Sequence, residues 1–172
     1  MGLPTRALSL RQPYAFFVLD PRCTHPKRIE NRGVLIKTWA AWEEPYFWIH
    51  ASKNSEEAYW TEALRLARSE FGDALGLPRS TDLPRGGIVG RARIIGTVDP
   101  YGKTTFAEGV TPPELDMRWH HRGSQAYILD EAKPCAFVEC RGAQGFFKVP
   151  LDVLGVLVHN EENAARGRIS HV

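Results

Sequence analysis

"GIVGRARIIGTVD", residues 87–99, is a long alternating segment whose reading decides the fold of this 172-residue chain. A two-residue period puts successive side chains on opposite faces, so the segment predicts one long strand. Gly90 and Gly96 lie inside it. Glycine weakens a strand interior, and its presence there marks a bulge, a barrel corner or a close approach of another piece of backbone.

Working back from this strand, residues 73–87 are rich in glycine, proline and polar residues and predict a loop. "NSEEAYWTEALRLARSEFG" (54–72) predicts a helix. Asn54 can cap it, Glu57 stands three positions later, Trp60, Leu64, Ala67 and Phe71 form one stripe, and Gly72 stops it. "YFWIHAS" (46–52) and "TRALSL" (5–10) predict strands. "QPYAFFVLD" (12–20) predicts a short helix with Pro13 in its first turn and Ala15, Phe16 and Leu19 on its buried face.

Working forward, residues 100–125 predict a long loop, which in a compact domain is functional or mobile. "AYILD" (126–130), "AFVEC" (136–140) and "GFFKV" (145–149) predict three short strands. The apolar "LDVLGVLV" (151–158) leads into a polar tail, 159–172, helical in part and frayed at its end. The expectation is an α+β fold, a small β-barrel flanked by helices. It forms a single domain over residues 1–172, with its core at about 5–158.

Apolar residues make up 43% of the chain and charged residues 24%, ordinary values that exclude a wholly disordered or fibrous protein. The net charge of +2 does not demand a nucleic-acid partner, although clustered arginines can still build a basic face. Cys23, Cys135 and Cys140 show no CxxC spacing and read as packing residues. No leader-like segment opens the chain and no apolar run reaches the roughly 20 residues that span a bilayer, so a cytoplasmic protein without a membrane partner is expected. The six histidines, His25, His50, His120, His121, His159 and His171, form no HxxxH pair. A metal site is therefore not expected, and neither is a cofactor. P-loop, GxGxxG and GxSxG motifs are absent from the sequence, which leaves phosphate-loop hydrolysis and serine-hydrolase chemistry without support.

The densest polar stretch is "HPKRIENR" (25–32). In an extended segment Arg28, Glu30 and Arg32 share a face opposite Lys27, Ile29 and Asn31. Charge runs of this kind are usually solvated. Glu30, flanked by two arginines, is expected to stay ionised and to orient or stabilise, whereas Lys27, if desolvated, becomes a candidate base or nucleophile.

"ALSLRQPYAFFVLD" (7–20), "PKRIENR" (26–32), "YFWIHASK" (46–53), "GGIVGRARIIGTVD" (86–99) and "GAQGFFKVP" (142–150) occur in the order of the ASCH family's motifs, and the sequence resembles that family, whose fold is PUA-like. The family pattern has a strand, RQPxA and a helix, then a GxKxxExR-type motif, then a small-residue-rich strand and a GxxG-[FW] strand. Lys27, Glu30 and Arg32 fall on its lysine, acidic and arginine positions, and His25 replaces its usual glycine. Residues 100–125 match no part of the pattern.

The resemblance implies a cleft lined by the lysine motif that receives RNA, single-stranded nucleic acid or a modified nucleoside. Some members are similar to amidohydrolases of N(4)-acetylcytidine, using a lysine, a threonine three positions later and a glutamate; others look like ribonucleases. Here Glu30 stands at the threonine position, and Asp99 and Glu139 are candidates for a second carboxylate. Lys27 and Glu30 are thus the candidate catalytic pair. The candidate ligand-binding residues are Arg11, Gln12, Tyr14, Arg32, His50 and Ser52. Arg11 either reaches a phosphate or pairs with Glu30, and Tyr14 either stacks on a base or packs in the core. His50 and Ser52 match a family stretch of the form H-[AS]-[AS]. Trp119, His120, His121 and Arg122 suggest a lid over RNA. Arg91 and Arg93, with Lys103 and Arg122, suggest an extended basic face, and Trp39 and Trp42 suggest stacking residues. Three functions follow as expectations: an RNA- or nucleoside-binding module, a hydrolase of RNA or N(4)-acetylcytidine, or a non-catalytic protein-interaction module.

Overall fold

The structure, a computed structural model, describes residues 3–23, 25–33, 44–54, 56–72 and 76–169. Trp39 and Trp42 lie outside the described residues. In chain order the elements are β1 (Arg6–Leu10), α1 (Tyr14–Leu19), β2 (Ile29–Arg32), β3 (Tyr46–Ala51), α2 (Glu57–Phe71), β4 (Gly87–Val98), β5 (Thr104–Phe106), β6 (Gln125–Glu139), β7 (Phe146–Lys148) and α3 (Leu151–Ile169). The seven strands form one mixed sheet ordered β2-β6-β4-β3-β1-β7, with β5 also paired to β4. β1 and β3 run parallel, and the other pairs are antiparallel. The sheet curls into a half-barrel, which brings β2 from one edge towards β1. Arg32 on β2 reaches across and donates from Nη2 to the Ser9 carbonyl on β1 at 3.1 Å.

The curl is built where the glycines of β4 predicted it. A Cβ at Gly90 would sit 2.6 Å from both Leu19 Cδ2 and the Lys133 carbonyl, so only glycine lets α1 and β6 close against the strand there. The pairing register shifts between Ile88 and Gly90, so a bulge and a close approach coincide. β3 is buried on both faces from Phe47 to Ala51. Phe47, Ile49 and Ala51 join the cluster beneath α1 that also holds Leu8, Val18 and Ile94, while Trp48 packs on the other face with Ala7 and with Leu157 of α3.

Three expectations change. "AYILD" and "AFVEC" belong to one strand, β6, because the intervening "EAKP" makes a bulge rather than a turn. Glu131 adopts φ +47° there, and the register against β4 slips between Arg93 and Arg91. The tail, expected to be helical in part, continues the apolar stretch as one helix to Ile169, held by the buried Leu157, and residues 170–172, where the fraying was expected, lie outside the described residues. Residues 100–125 are also less loop-like than their composition implies, since β5 pairs with β4 and Met117–Trp119 forms a 3-10 turn. For α2, Gly72 stops the helix in the left-handed conformation as expected, but its first cap is Glu56, and the Asn54 carboxamide oxygen instead accepts from the Glu56 N–H.

Candidate functional site

The seam of the half-barrel opens into a cavity of about 1090 Å³. β1 and β3 end there side by side, with Ser9 opposite His50 in the parallel register. β2 supplies Glu30 and Arg32, and α2 and the segment after β6 complete the walls.

Lys27 follows from the way α1 is tied down. Its backbone N–H donates to the Phe17 carbonyl at 2.9 Å, which tucks residue 27 beneath the helix, and its side chain is 4% exposed. Its ammonium hydrogen-bonds the Glu30 carboxylate, which is itself only 8% exposed. Arg32 Nη2 approaches the other Glu30 oxygen at 3.1 Å. Two cations therefore share one buried carboxylate. Burial pushes the Lys27 ammonium below its usual range, against the opposing pull of Glu30. The same burial would raise Glu30, but Lys27 and Arg32 beside it win and hold its carboxyl below the usual value. The pair is an ion pair at rest, as expected for Glu30. The expectation that Arg28 shares its face with Glu30 does not carry into the site: Lys27 and Arg32 hold the carboxylate, because residue 27 lies before the strand and escapes its alternation.

Arg11 does not pair with Glu30, whose partners among the described residues are Lys27 and Arg32. Its guanidinium carbon stacks over the Tyr59 ring at 3.7 Å from the centroid. Tyr14 lines the cavity, with the Lys27 ammonium 5.7 Å from its ring centre. Burial, with the charges of Glu62 and Glu30 nearby, pushes its phenol up to about 12, so it stays a neutral donor through the physiological range. Gln12 is absent from the cavity lining. Its amide nitrogen donates to the Pro84 carbonyl at 3.0 Å and its oxygen accepts from the Phe16 N–H at 3.2 Å, so it caps α1 and joins it to the loop before β4.

His50 is wired on both sides. Nε2 lies 2.9 Å from the Cys140 carbonyl and Nδ1 lies 3.1 Å from Ser9 Oγ, which also donates to the Ala143 carbonyl at 2.9 Å. Burial lowers its pKa. A Cβ on Gly142 would meet the ring at 2.2 Å, so glycine is required where that loop crosses the imidazole. Ser52 lines the cavity and its Oγ accepts from the Asn54 N–H at 3.2 Å.

The lid expectation is corrected. Trp119 is 1% exposed, stacked on Phe71 at 4.7 Å, and donates from Nε1 to the His25 carbonyl at 3.2 Å; it is core. It anchors a segment that Asn31 then clamps. Asn31 Nδ2 donates to the Trp119 carbonyl at 2.7 Å and Oδ1 accepts from the His121 N–H at 2.9 Å. His121 thereby joins the cavity lining near Glu30, while His120 turns to the Ser124 carbonyl at 3.0 Å. Arg122 and Lys103 do not line it. Arg91 and Arg93 pair with Glu161 at 3.3 Å and Glu131 at 2.9 Å, so they brace the sheet and build no basic cleft face. Of the candidate carboxylates, Glu139 lines the cavity, whereas Asp99 accepts from the Tyr101 and Lys103 N–H groups of its own turn.

Sequence reasoning missed Tyr59 and Glu62 of α2, Lys53, and the loop 141–145, all of which line the cavity. Tyr59 and Glu62 are three apart on the polar side of a helix, a spacing that reads only as a solvated face until the helix is docked. Among the described residues no group of three or more His, Cys, Asp or Glu could hold a metal ion, and no described helix is long and apolar enough to cross a membrane.

Fold and cavity define an α+β half-barrel with an ionic cleft at its seam. No protein-family model matches the chain, and no curated protein matches it. Among solved structures it is similar to the crystal structure of ASCH from Zymomonas mobilis, at 13% identity over 90% of this chain and 93% of that one, with a TM-score of 0.45. Two mutant forms of that protein match with TM-scores of 0.45 and 0.46, each at 13% identity over 90% of this chain and over 94% and 96% of theirs.

Proposed function

We propose that the cleft binds single-stranded RNA or a nucleoside-like ligand. The observation that carries this reading is the composition of the cavity wall. Among the described lining residues five cations face three carboxylates, and Tyr14 and Tyr59 stand among them. Excess positive charge favours a polyanion, and aromatic faces in a basic groove stack bases of any sequence. Arg11, laid flat on Tyr59, extends that stacking surface. Arg32 Nε is buried without a hydrogen-bond partner among the described residues, a donor that a ligand oxygen would satisfy.

The test is fluorescence anisotropy with labelled single-stranded RNA at several salt concentrations. The logarithm of the association constant falls linearly with the logarithm of salt concentration if phosphates are neutralised. Absence of binding at low salt to RNA and to cytidine alike overturns the reading.

A second reading, hydrolysis of RNA or of N(4)-acetylcytidine, is favoured by one specific observation. Lys27 is buried at a large cavity with its pKa pushed down, which brings its neutral amine within reach; that amine can take a proton from an attacking water, and the ammonium so formed can return it to a leaving group. Glu30, bonded to it, would hold the amine in place and steady its positive charge during that transfer. Incubation with labelled RNA and with N(4)-acetylcytidine tests this. Product formation unchanged in a folded Lys27→Ala variant removes the lysine mechanism.

A further inference from the structure

The cations of the cavity are not equally available. Lys27 and Arg32 are committed to Glu30, and Arg11 is committed to the Tyr59 face. Lys53 and Arg141 are different: neither side chain makes a hydrogen bond or ion pair among the described residues, and both residues line the cavity. They are neighbours through the sheet. Lys53 packs within 3.8 Å of the Cβ position of Gly86, and the Gly86 carbonyl accepts from the N–H of Cys140, which precedes Arg141.

Between these side chains and β7 runs "RGAQG", residues 141–145, and all five residues line the cavity. None of their backbone N–H groups has a hydrogen-bond partner among the described residues. The carbonyls nearby are held instead, Cys140 by His50 and Ala143 by Ser9. In a trans peptide the N–H points opposite to the C=O. The His50 and Ser9 anchors therefore fix the N–H groups of Arg141 and Gln144 facing away from themselves. Gly142 is forced by the His50 ring, and Gly145 sits at φ +70°, where glycine turns the chain without strain. Successive unpaired amides on a glycine-containing turn make an anion-binding concavity. Two uncommitted cations stand beside this one. Glu139 is the single carboxylate of the same wall, one residue before Cys140.

We propose that loop 141–145 with Lys53 and Arg141 is a phosphate-binding subsite of the cleft, separate from the Lys27–Glu30–Arg32 wall. Its ligand chemistry is a tetrahedral phosphate, free or carried on a nucleotide. Only the choice of carrier rests on the RNA or nucleoside reading above. The subsite assigns the phosphate contact to residues that sequence reasoning did not single out, and it leaves the Arg11–Tyr59 face for the base.

The experiment titrates isotope-labelled protein with inorganic phosphate, cytidine and cytidine 5′-monophosphate. It follows the amide resonances of residues 141–145 and measures affinities by calorimetry. Phosphate and the nucleotide should both move those resonances in a saturable way. The nucleotide should bind about tenfold more tightly than cytidine, the worth of one charge-assisted contact. Lys53→Gln combined with Arg141→Gln, both at exposed positions, should abolish the nucleotide's advantage over cytidine, and an unchanged thermal midpoint of the double variant shows that the fold survives. If phosphate moves the loop amides while cytidine does not bind here and RNA does not bind in the anisotropy titration, the subsite stands and the RNA reading falls. If cytidine binds but the nucleotide binds no better and phosphate leaves the loop unmoved, the subsite is overturned and the nucleoside reading stands. Silence from all three ligands overturns the subsite, and silence from RNA in the anisotropy titration as well overturns both.

Discussion

Two glutamates in this protein each hold two cations, and the two clusters do opposite things. Glu30 is shared by Lys27 and Arg32, and Glu161 on α3 is shared by Arg91 of β4 and Lys133 of β6, each at 3.3 Å. The side chains of the first cluster are 3%, 10% and 22% exposed, and Arg91, Lys133 and Glu161 of the second are 27%, 36% and 16% exposed. Equal stoichiometry therefore sits in unequal dielectric. Around Glu161 water screens the charges, and the cluster's job is geometric, fastening α3 across two strands. Around Glu30 desolvation is expensive, and stability alone would be served as well by apolar residues. A buried charge cluster beside a cavity of about 1090 Å³ is a cost that a binding or catalytic surface explains and a packing surface does not.

The largest effect should come from orphaning the buried ammonium. Glu30→Gln removes the charge that compensates Lys27, and unfolding in denaturant at neutral pH should show a loss of about 3–5 kcal/mol. A loss within the range of exposed pairs would mean that the two clusters do not differ. Replacing the pair together, Lys27→Met with Glu30→Leu, should restore most of that stability, because no buried ammonium is then left unpaired and Arg32, which also loses Glu30, is partly exposed and keeps its bond to the Ser9 carbonyl. The same double variant should lose RNA binding or turnover. A variant that regains stability and keeps function would show that the pair is structural.

Acid should separate the clusters next. Lys27 and Arg32 hold the Glu30 carboxyl below its ordinary value of 4.5, so the unfolded chain takes up this proton first. The stability contributed by the Glu30 carboxylate is fully present above that value and is lost as pH falls through the lower folded one. The stability difference between the protein and its Glu30→Gln variant should therefore be flat from neutral pH down to about 5 and shrink below it. Denaturation midpoints of both proteins measured between pH 7 and pH 3 would check this, and a difference that does not change across the acid range would refute it.

Much of this contrast could be read from the chain, and the limits of that reading are physical. The strand-forming alternation of 87–99 and its two glycines foretold the curl, because a missing Cβ at Gly90 is a local cause of a local bulge. "PKRIENR" put Arg32 beside Glu30 because i,i+2 neighbours on a strand share a face, whereas the same alternation set Lys27 on the opposite face and only the ASCH resemblance grouped it with Glu30. Its burial was not legible, because Lys27 is covered through its bond to the Phe17 carbonyl, a contact between elements. Trp119 read as a lid because an aromatic beside histidines and arginine carries no mark of which side faces the core. The "EAKP" run read as a turn because a bulge and a turn use the same residues. Tyr59, Glu62 and Lys53 were invisible for a similar reason: a polar helix face and a strand end become a wall only when the sheet curls towards them.

The smallest effect expected is at Glu161, and it is informative because it is small. Glu161→Gln leaves Lys133, 36% exposed, and the guanidinium end of Arg91, 27% exposed although its Nε is buried, with access to water, so the loss is not penalised heavily. The expected change in global stability is about 0–1 kcal/mol, reduced further by added salt. Its structural consequence should be local, because α3 is also held by Leu157, buried against Ala7 and Trp48. Amide exchange should therefore quicken around Glu161 while the helix stays docked through its Leu151–Leu157 turns. If Glu161→Gln cost as much as Glu30→Gln, burial would not be what divides the clusters, and the cavity wall would lose its claim to be the costly one.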